Sequence, residues 1–263
     1  GKCMYAAVSL PTELPTCAGF KQAGGGAMVS RTIMLAELTT LFAALPGEAR
    51  HADYRTAVID ANVLGKRSVA TRRESLRRLS EFYALDPAVP LFAALRRLWD
   101  ADTIGQPLLA CLAANARDPL LRLTAPTILA APLGAPISAG GLAGAIEEQV
   151  PGRFQAKTLI FMAKHAASSW TQSGHLTGRM PKTRVRAVAT PIAVVYALLL
   201  GHLAGKQGIL LFDTFWVKLL DAGPEQVHDL AFEAGRRGWL DYKRIGDVVE
   251  IGFKALLAKD RHE

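Results

Sequence analysis

Cysteine is scarce in this 263-residue chain: Cys3, Cys17 and Cys111 are all there is. An odd count with no CxxC spacing argues against a disulfide framework and a cysteine metal site, and fits a reducing compartment, the cytoplasm. Catalytic signatures are missing as well. There is no GxSxG and no HExxH, and the triplet Gly24-Gly25-Gly26 lacks the lysine and hydroxyl of a phosphate loop. His165, His175 and His202 have no acid near them in sequence, which leaves them no general-base partner or carboxylate co-ligand. The expectation is a protein that is not an enzyme, with no cofactor and no metal. Aromatics make up only 7% of the chain, whereas Ala and Leu, which lose least on entering a helix, dominate outside the loops.

The most uneven absence is that of acid. Lys plus Arg outnumber Asp plus Glu by 31 to 23, a net +8, but from Gln149 through Phe212 there is no Asp or Glu at all. Arg153, Lys157, Lys164, Arg179, Lys182, Arg184, Arg186 and Lys206 all fall in that stretch, and the rest of the chain is nearly neutral. Ordinary surfaces intersperse the two signs, so a long stretch of one sign reads as a site for a polyanion.

Long hydrophobic runs are also rare. Ala187 to Gly205 carries no formal charge, but Pro191, His202 and two glycines interrupt it, so a buried core helix is expected and not a membrane span. Half of the residues are hydrophobic and 21% charged, which is enough to close a core, and the length suits two or three small domains.

The expected fold class is mainly α, with helix-turn-helix and winged-helix units and small β-hairpin wings. Residues 1–28 read as a flexible leader without a packed element. Residues 29–130 read as a helical domain: a helix from Met28 to Leu45, a second from Asp53 to Leu64 with Asp53 as N-cap, a short turn at Gly65, and a third from Val69 to Tyr83. Helices at Pro90 to Trp99, Ile104 to Ala116 and Pro119 to Ala130 follow. Residues 131–189 form a winged-helix-like unit, with helices from Ser138 to Gln149 and Phe154 to Thr171. Strands at His175 to Thr177 and Thr183 to Val188 follow, around a basic turn. Residues 190–263 repeat that order, with a helix from Pro191, a short one near Asp213 to Leu220 and another from Pro224 to Arg237. A hairpin of Trp239 to Tyr242 and Val248 to Phe253 closes it.

Two basic clusters are candidate nucleic-acid contacts. The run VLGKRSVATRRESLRRL gathers Lys66, Arg67, Arg72, Arg73, Arg77 and Arg78 around the start of a helix, where cations and free N–H groups attract phosphate oxygens. A solvated helix with internal ion pairs is the other reading of that density. The second cluster is sharper. At 100° per residue Arg153, Lys157, Lys164, Ser168 and Thr171 share one sector of a helix whose opposite side holds Leu159, Met162, Ala163, Ala166 and Trp170. Arg179, Lys182, Arg184 and Arg186 lie on the following hairpin, so a helix for a groove is joined to a wing for the flanking backbone. The expected partner is double-stranded DNA, held mainly through phosphates.

The run YRTAVIDANVLGKRSVATRRESLRRL, continued by LDPAVPLFAALRRLW and ARDPLLR, resembles the BrxA-type proteins, small accessory components of bacteriophage exclusion (BREX) defence systems. The resemblance covers about Arg31 to Leu123 and extends through SSWTQSGHLTGR; the residues before Ser30 fall outside it. It implies a mostly helical, non-enzymatic DNA-binding protein encoded beside larger defence components, with a contact region at about Tyr54 to Tyr83 and other defence proteins as partners. Members have also carried an inner-membrane label, which here would rest on Ala187 to Gly205. A transcriptional regulator and a winged-helix scaffold for partner proteins are the alternative functions.

Overall fold

A computed structural model describes residues 8–24, 26–179 and 181–257. The chain is mostly helical, with two small antiparallel sheets. Its first helices are α1 (Leu35–Ala43), α2 (His51–Ile59), α3 (Val69–Tyr83), α4 (Pro90–Trp99), α5 (Gln106–Arg117) and α6 (Pro119–Ala130). Strand β1 (Pro136–Ile137), helices α7 (Ala139–Gln149) and α8 (Ala156–Gln172), and strands β2 (Leu176–Thr177) and β3 (Lys182–Arg184) come next. Helices α9 (Pro191–Leu203), α10 (Phe215–Lys218) and α11 (Pro224–Arg236), strands β4 (Asp241–Ile245) and β5 (Val248–Gly252), and helix α12 (Lys254–Leu257) complete it.

Local chemistry sets most of the helix ends. Ser68 accepts from the Thr71 amide to start α3, and Thr190 does the same for Ala193 ahead of Pro191. Asp118 ends α5 and opens α6, taking the amides of Leu120 and Leu121 on its carboxylate at 3.0 and 2.9 Å, with Pro119 as the first helical residue. Gly238, at φ 79°, stops α11 in the left-handed conformation that a helix end favours.

The expected helix from Met28 to Leu45 is shorter at its start. Residues 30–34 run beside α8, where the Ile33 amide donates to Ser169 Oγ (3.0 Å) and the Leu35 amide to Gln172 Oε1 (2.9 Å), so the helix begins only at Leu35. Asp53 is not an N-cap: it lies inside the first turn of α2, and its carboxylate accepts from the Arg50 amide at 2.7 Å. Helix α2 also stops at Ile59, well before Leu64. The connection 60–68, reversed at Asn62 (φ 50°) and Gly65 (φ 62°), is longer than the three- or four-residue turn of a helix-turn-helix.

The described part of the expected leader, residues 8–24 and 26–28, is packed against the core; residues 1–7 lie outside the described residues. Phe20 and Met28 are buried, and the Phe20 ring sits 5.4 Å from that of Trp216. Lys21 N donates to Ala116 O, and Arg117 reaches Gly19 O at 2.6 Å. Gly19 itself has φ 103° and lies so close to Val89 and Leu91 that a Cβ there would run into both.

One continuous apolar core joins the three expected segments, from Leu14 to Leu256. Helix α9 is its centre: every residue from Ile192 to Gly201 is buried, against α4, α5, α10 and α11. This is the uncharged stretch of the sequence. At 13 residues it is about 20 Å long, and among the described residues no helix is long and apolar enough to cross a membrane.

The first sheet has the order β1-β3-β2, all antiparallel, with Ile137 opposite Lys182 and Leu176 opposite Arg184. The chain therefore runs helix, strand, helix, helix and hairpin from α6 to β3, and the early strand closes the hairpin. The second sheet, β4-β5, is a two-stranded hairpin after α11.

Candidate nucleic-acid interface

Helix α8 packs against α7 and α5, and its buried side is Leu159, Met162, Ala163, Ala166, Ala167 and Trp170, the i, i+3, i+4 stripe of a half-buried helix. The opposite side carries Lys157 and Lys164, both exposed, and half-buried Ser168. Between the lysines, on the same side, lie Ile160 and Phe161, 37% and 48% exposed. The Lys164 ammonium stands 5.8 Å from the Phe161 ring centroid, a cation–π contact. The face is thus basic and apolar together. In the 100° projection the two hydrophobic residues flank the sector of Lys157, Lys164 and Ser168.

Arg153 precedes the helix. Its guanidinium lies over the Phe154 ring and donates to Gly24 O at 2.9 Å. On the hairpin Arg179 and Arg186 are exposed, Lys182 Nζ reaches Gly178 O (3.0 Å), and Arg186 makes a long contact with Asp221 O (3.4 Å). Met180, in the same turn, lies outside the described residues. Among the described residues Arg153, Lys157, Lys164, Arg179, Lys182 and Arg186 have no carboxylate partner, so their charge faces solvent.

Arg184 does not belong with them. Only 2% of its side chain is exposed, and its guanidinium makes a two-pronged pair with Asp221 at 2.7 and 2.9 Å. It also donates to the carbonyls of Ile128 and His175. Its position in an alternating strand looks solvent-facing, but the partner that draws it inward lies on a loop far along the chain.

The α3 cluster is largely neutralised. Arg77 bonds Glu74 and Glu81, and Arg78 bonds the same two carboxylates, at 2.7 to 3.2 Å. Glu81, one turn beyond the basic run, completes the balance. Lys66 pairs with Glu37 at 3.0 Å. Arg72 donates to Ile59 O (3.0 Å) and Lys66 O, capping the end of α2 and holding the 60–68 connection in shape. Arg67 and Arg73 remain exposed and, among the described residues, without partners. The internal ion pairs account for most of this density.

The junction of α8 with the hairpin is a buried polar knot around His175. Nε2 donates to Leu219 O (3.0 Å), which leaves Nδ1 to accept from the Ser173 hydroxyl (2.8 Å), and the ring stands edge-on to Trp170. Burial pushes the imidazole pKa down to about 4, against the opposing field of Asp221. An unfolded histidine titrates near 6.5, so above that pH the ring is neutral in both states and its environment carries no pH penalty. As pH falls from 6.5 to 4 the unfolded chain takes a proton that the folded one refuses, and stability is lost. We expect this residue to account for about 2 to 3 kcal/mol of lost stability by pH 4.5. Urea unfolding of the parent and His175→Gln across that window checks it: the variant should have the shallower pH slope, and equal slopes would assign the titration elsewhere.

Among the described residues no group of three or more His, Cys, Asp or Glu is placed to hold a metal ion. A surface cleft of about 500 Å³ beside α11 and β4 contains His228, whose Nδ1 meets Tyr242 Oη at 2.9 Å while the ring stacks on Phe212. This is ring packing with a satisfied polar edge. No protein-family model matches the chain, and no curated protein matches it at a significant level.

Proposed function

We propose that this chain is a non-enzymatic, cytoplasmic DNA-binding protein that holds duplex DNA mainly through phosphates, and that it serves as a BrxA-type accessory component of a bacterial anti-phage defence system. The observation that carries the DNA reading is the unpaired basic face of α8 beside the hairpin cations, in a region with no acid between Gln149 and Phe212. The order of elements supports it. In a winged helix a strand precedes the helix pair and closes the hairpin behind it, as β1 does on β3. On that order α8 would serve as the recognition helix and the turn after β2 as the wing.

The test is Lys157→Ala combined with Lys164→Ala. Both side chains are exposed, so stability should change by less than about 1 kcal/mol. If each ammonium neutralises one phosphate, the slope of log K against log salt should fall by about two, equally on unrelated DNA sequences. A folded double variant with the parent's affinity and slope would sink the α8 assignment and move the question to Arg67 and Arg73. The defence role is tested by gene neighbourhood, where large ATPase, methyltransferase and phosphatase-like genes should flank this one.

A second reading has its own support. Phe232 on α11 and Ile245 and Val248 at the β4-β5 tip are 57%, 82% and 72% exposed, which favours a protein-binding role for the C-terminal unit. Complexes formed there should survive moderate salt, because apolar contacts are not screened.

A further inference from the structure

Ile160 and Phe161 are the unexplained part of the α8 face. Two large apolar side chains stay 37% and 48% exposed on a helix whose other side is fully packed. They stand between two lysines seven residues apart, about 10 Å along the helix axis. A helix laid along the major groove would turn Ile160 and Phe161 toward the base edges, while the longer, flexible Lys157 and Lys164 side chains on the same face reach out to phosphates. The exposed residues of α8 include no Asn or Gln to read adenine and no Arg to read guanine, and in this placement its two lysines are engaged by phosphates. What an aliphatic and an aromatic side chain recognise on a base edge is the thymine C5 methyl, the apolar group of the major groove.

We infer that Ile160 and Phe161 are specificity-determining residues that contact thymine methyls, giving the protein a preference for A·T-containing sites on top of its phosphate binding. This rests on the DNA reading above. Phe161 is pre-positioned by its contact with Lys164, which ties the groove wall and the base-facing ring into one unit.

The experiment compares the full chain's affinity, by fluorescence anisotropy, for an A·T-rich duplex and for the same duplex with deoxyuridine in place of every thymidine. Only the C5 methyl differs. Burying one methyl corresponds to about fourfold in affinity, so the thymine duplex should bind about four- to tenfold tighter. Ile160→Ala with Phe161→Ala should bind both duplexes equally, with an unchanged salt slope. If the parent does not distinguish the duplexes, or the variant retains the preference, the inference is overturned while the DNA reading stands, and the apolar pair belongs to a protein partner. Failure of the parent to bind either duplex at low salt overturns both.

Discussion

Arg184→Ala should cost about 3 to 5 kcal/mol in unfolding free energy, the penalty for stranding a buried charge. The guanidinium is 2% exposed and its partner Asp221 14%. Besides the paired bonds to that carboxylate, it donates to Ile128 O at the end of α6 and to His175 O after α8, so one side chain ties β3 to three other parts of the fold. Asp221 also takes the Ala187 amide (3.0 Å) and adopts φ 56°, which the pairing holds in place. Arg184→Lys should recover little, because a point charge cannot match the two carboxylate oxygens together. Arg184→Met with Asp221→Asn should lose less than the sum of its singles, since removing both charges leaves neither unpaired. Chemical denaturation of the parent, Arg184→Ala, Arg184→Lys, the double variant and its two singles checks this. At temperatures where Arg184→Ala is still folded, its DNA salt slope should equal the parent's, because the guanidinium faces inward. A reduced slope in folded protein would restore Arg184 to the phosphate-binding set.

Elements whose signals are local were legible in the sequence. Helices α3, α4 and α6 have the expected ends because Ser68, Pro90 and the pair Asp118-Pro119 act on their own first turns. The basic face of α8 was legible for the same reason, as a periodicity within one helix. The strands were harder. Pro136-Ile137 is too short for any alternation, and what makes it a strand is its partner, Thr183-Lys182. Strand β3 ends at Arg184, short of the expected Val188, because Ala187 is drawn across to Asp221.

The misjudged side chains share this non-local cause. Arg184 is buried by Asp221, Lys66 is neutralised by Glu37, and Gly19 to Lys21 are held by Ala116 and Arg117, in each case across a long stretch of chain. Charge density along a sequence overstates free charge wherever the fold returns a carboxylate. It does so least in the stretch from Gln149 to Phe212, which has no carboxylate of its own. Even there Asp221, just beyond the stretch, removed one arginine. The candidate interface is therefore narrower than the basic run: α8, Arg179, Lys182 and Arg186.

Trp170→Ala should destabilise the fold by about 3 to 5 kcal/mol, the usual range for emptying a buried aromatic site. Trp170 is 1% exposed on the inner side of α8. Its Nε1 donates to Thr124 Oγ1 on α6 at 2.8 Å, and its ring packs edge-on to His175 at 5.0 Å and 89°. Truncation would open a cavity where α6, α8 and the start of the hairpin meet, and would remove the ring against which His175 is set. Trp170→Phe keeps most of the volume and loses the N–H, so about 1 to 2 kcal/mol is expected from the broken hydrogen bond. The Thr124 hydroxyl still donates to Leu121 O, so no donor is stranded. Trp170→Ala should lose DNA binding only as it unfolds, with both signals following one transition, whereas Lys157→Ala/Lys164→Ala should lose binding with its melting midpoint in place. A Trp170→Ala protein that melts with the parent would show that the inner side of α8 is not part of the core, and the assignment of the opposite side as its outward face would fall with it.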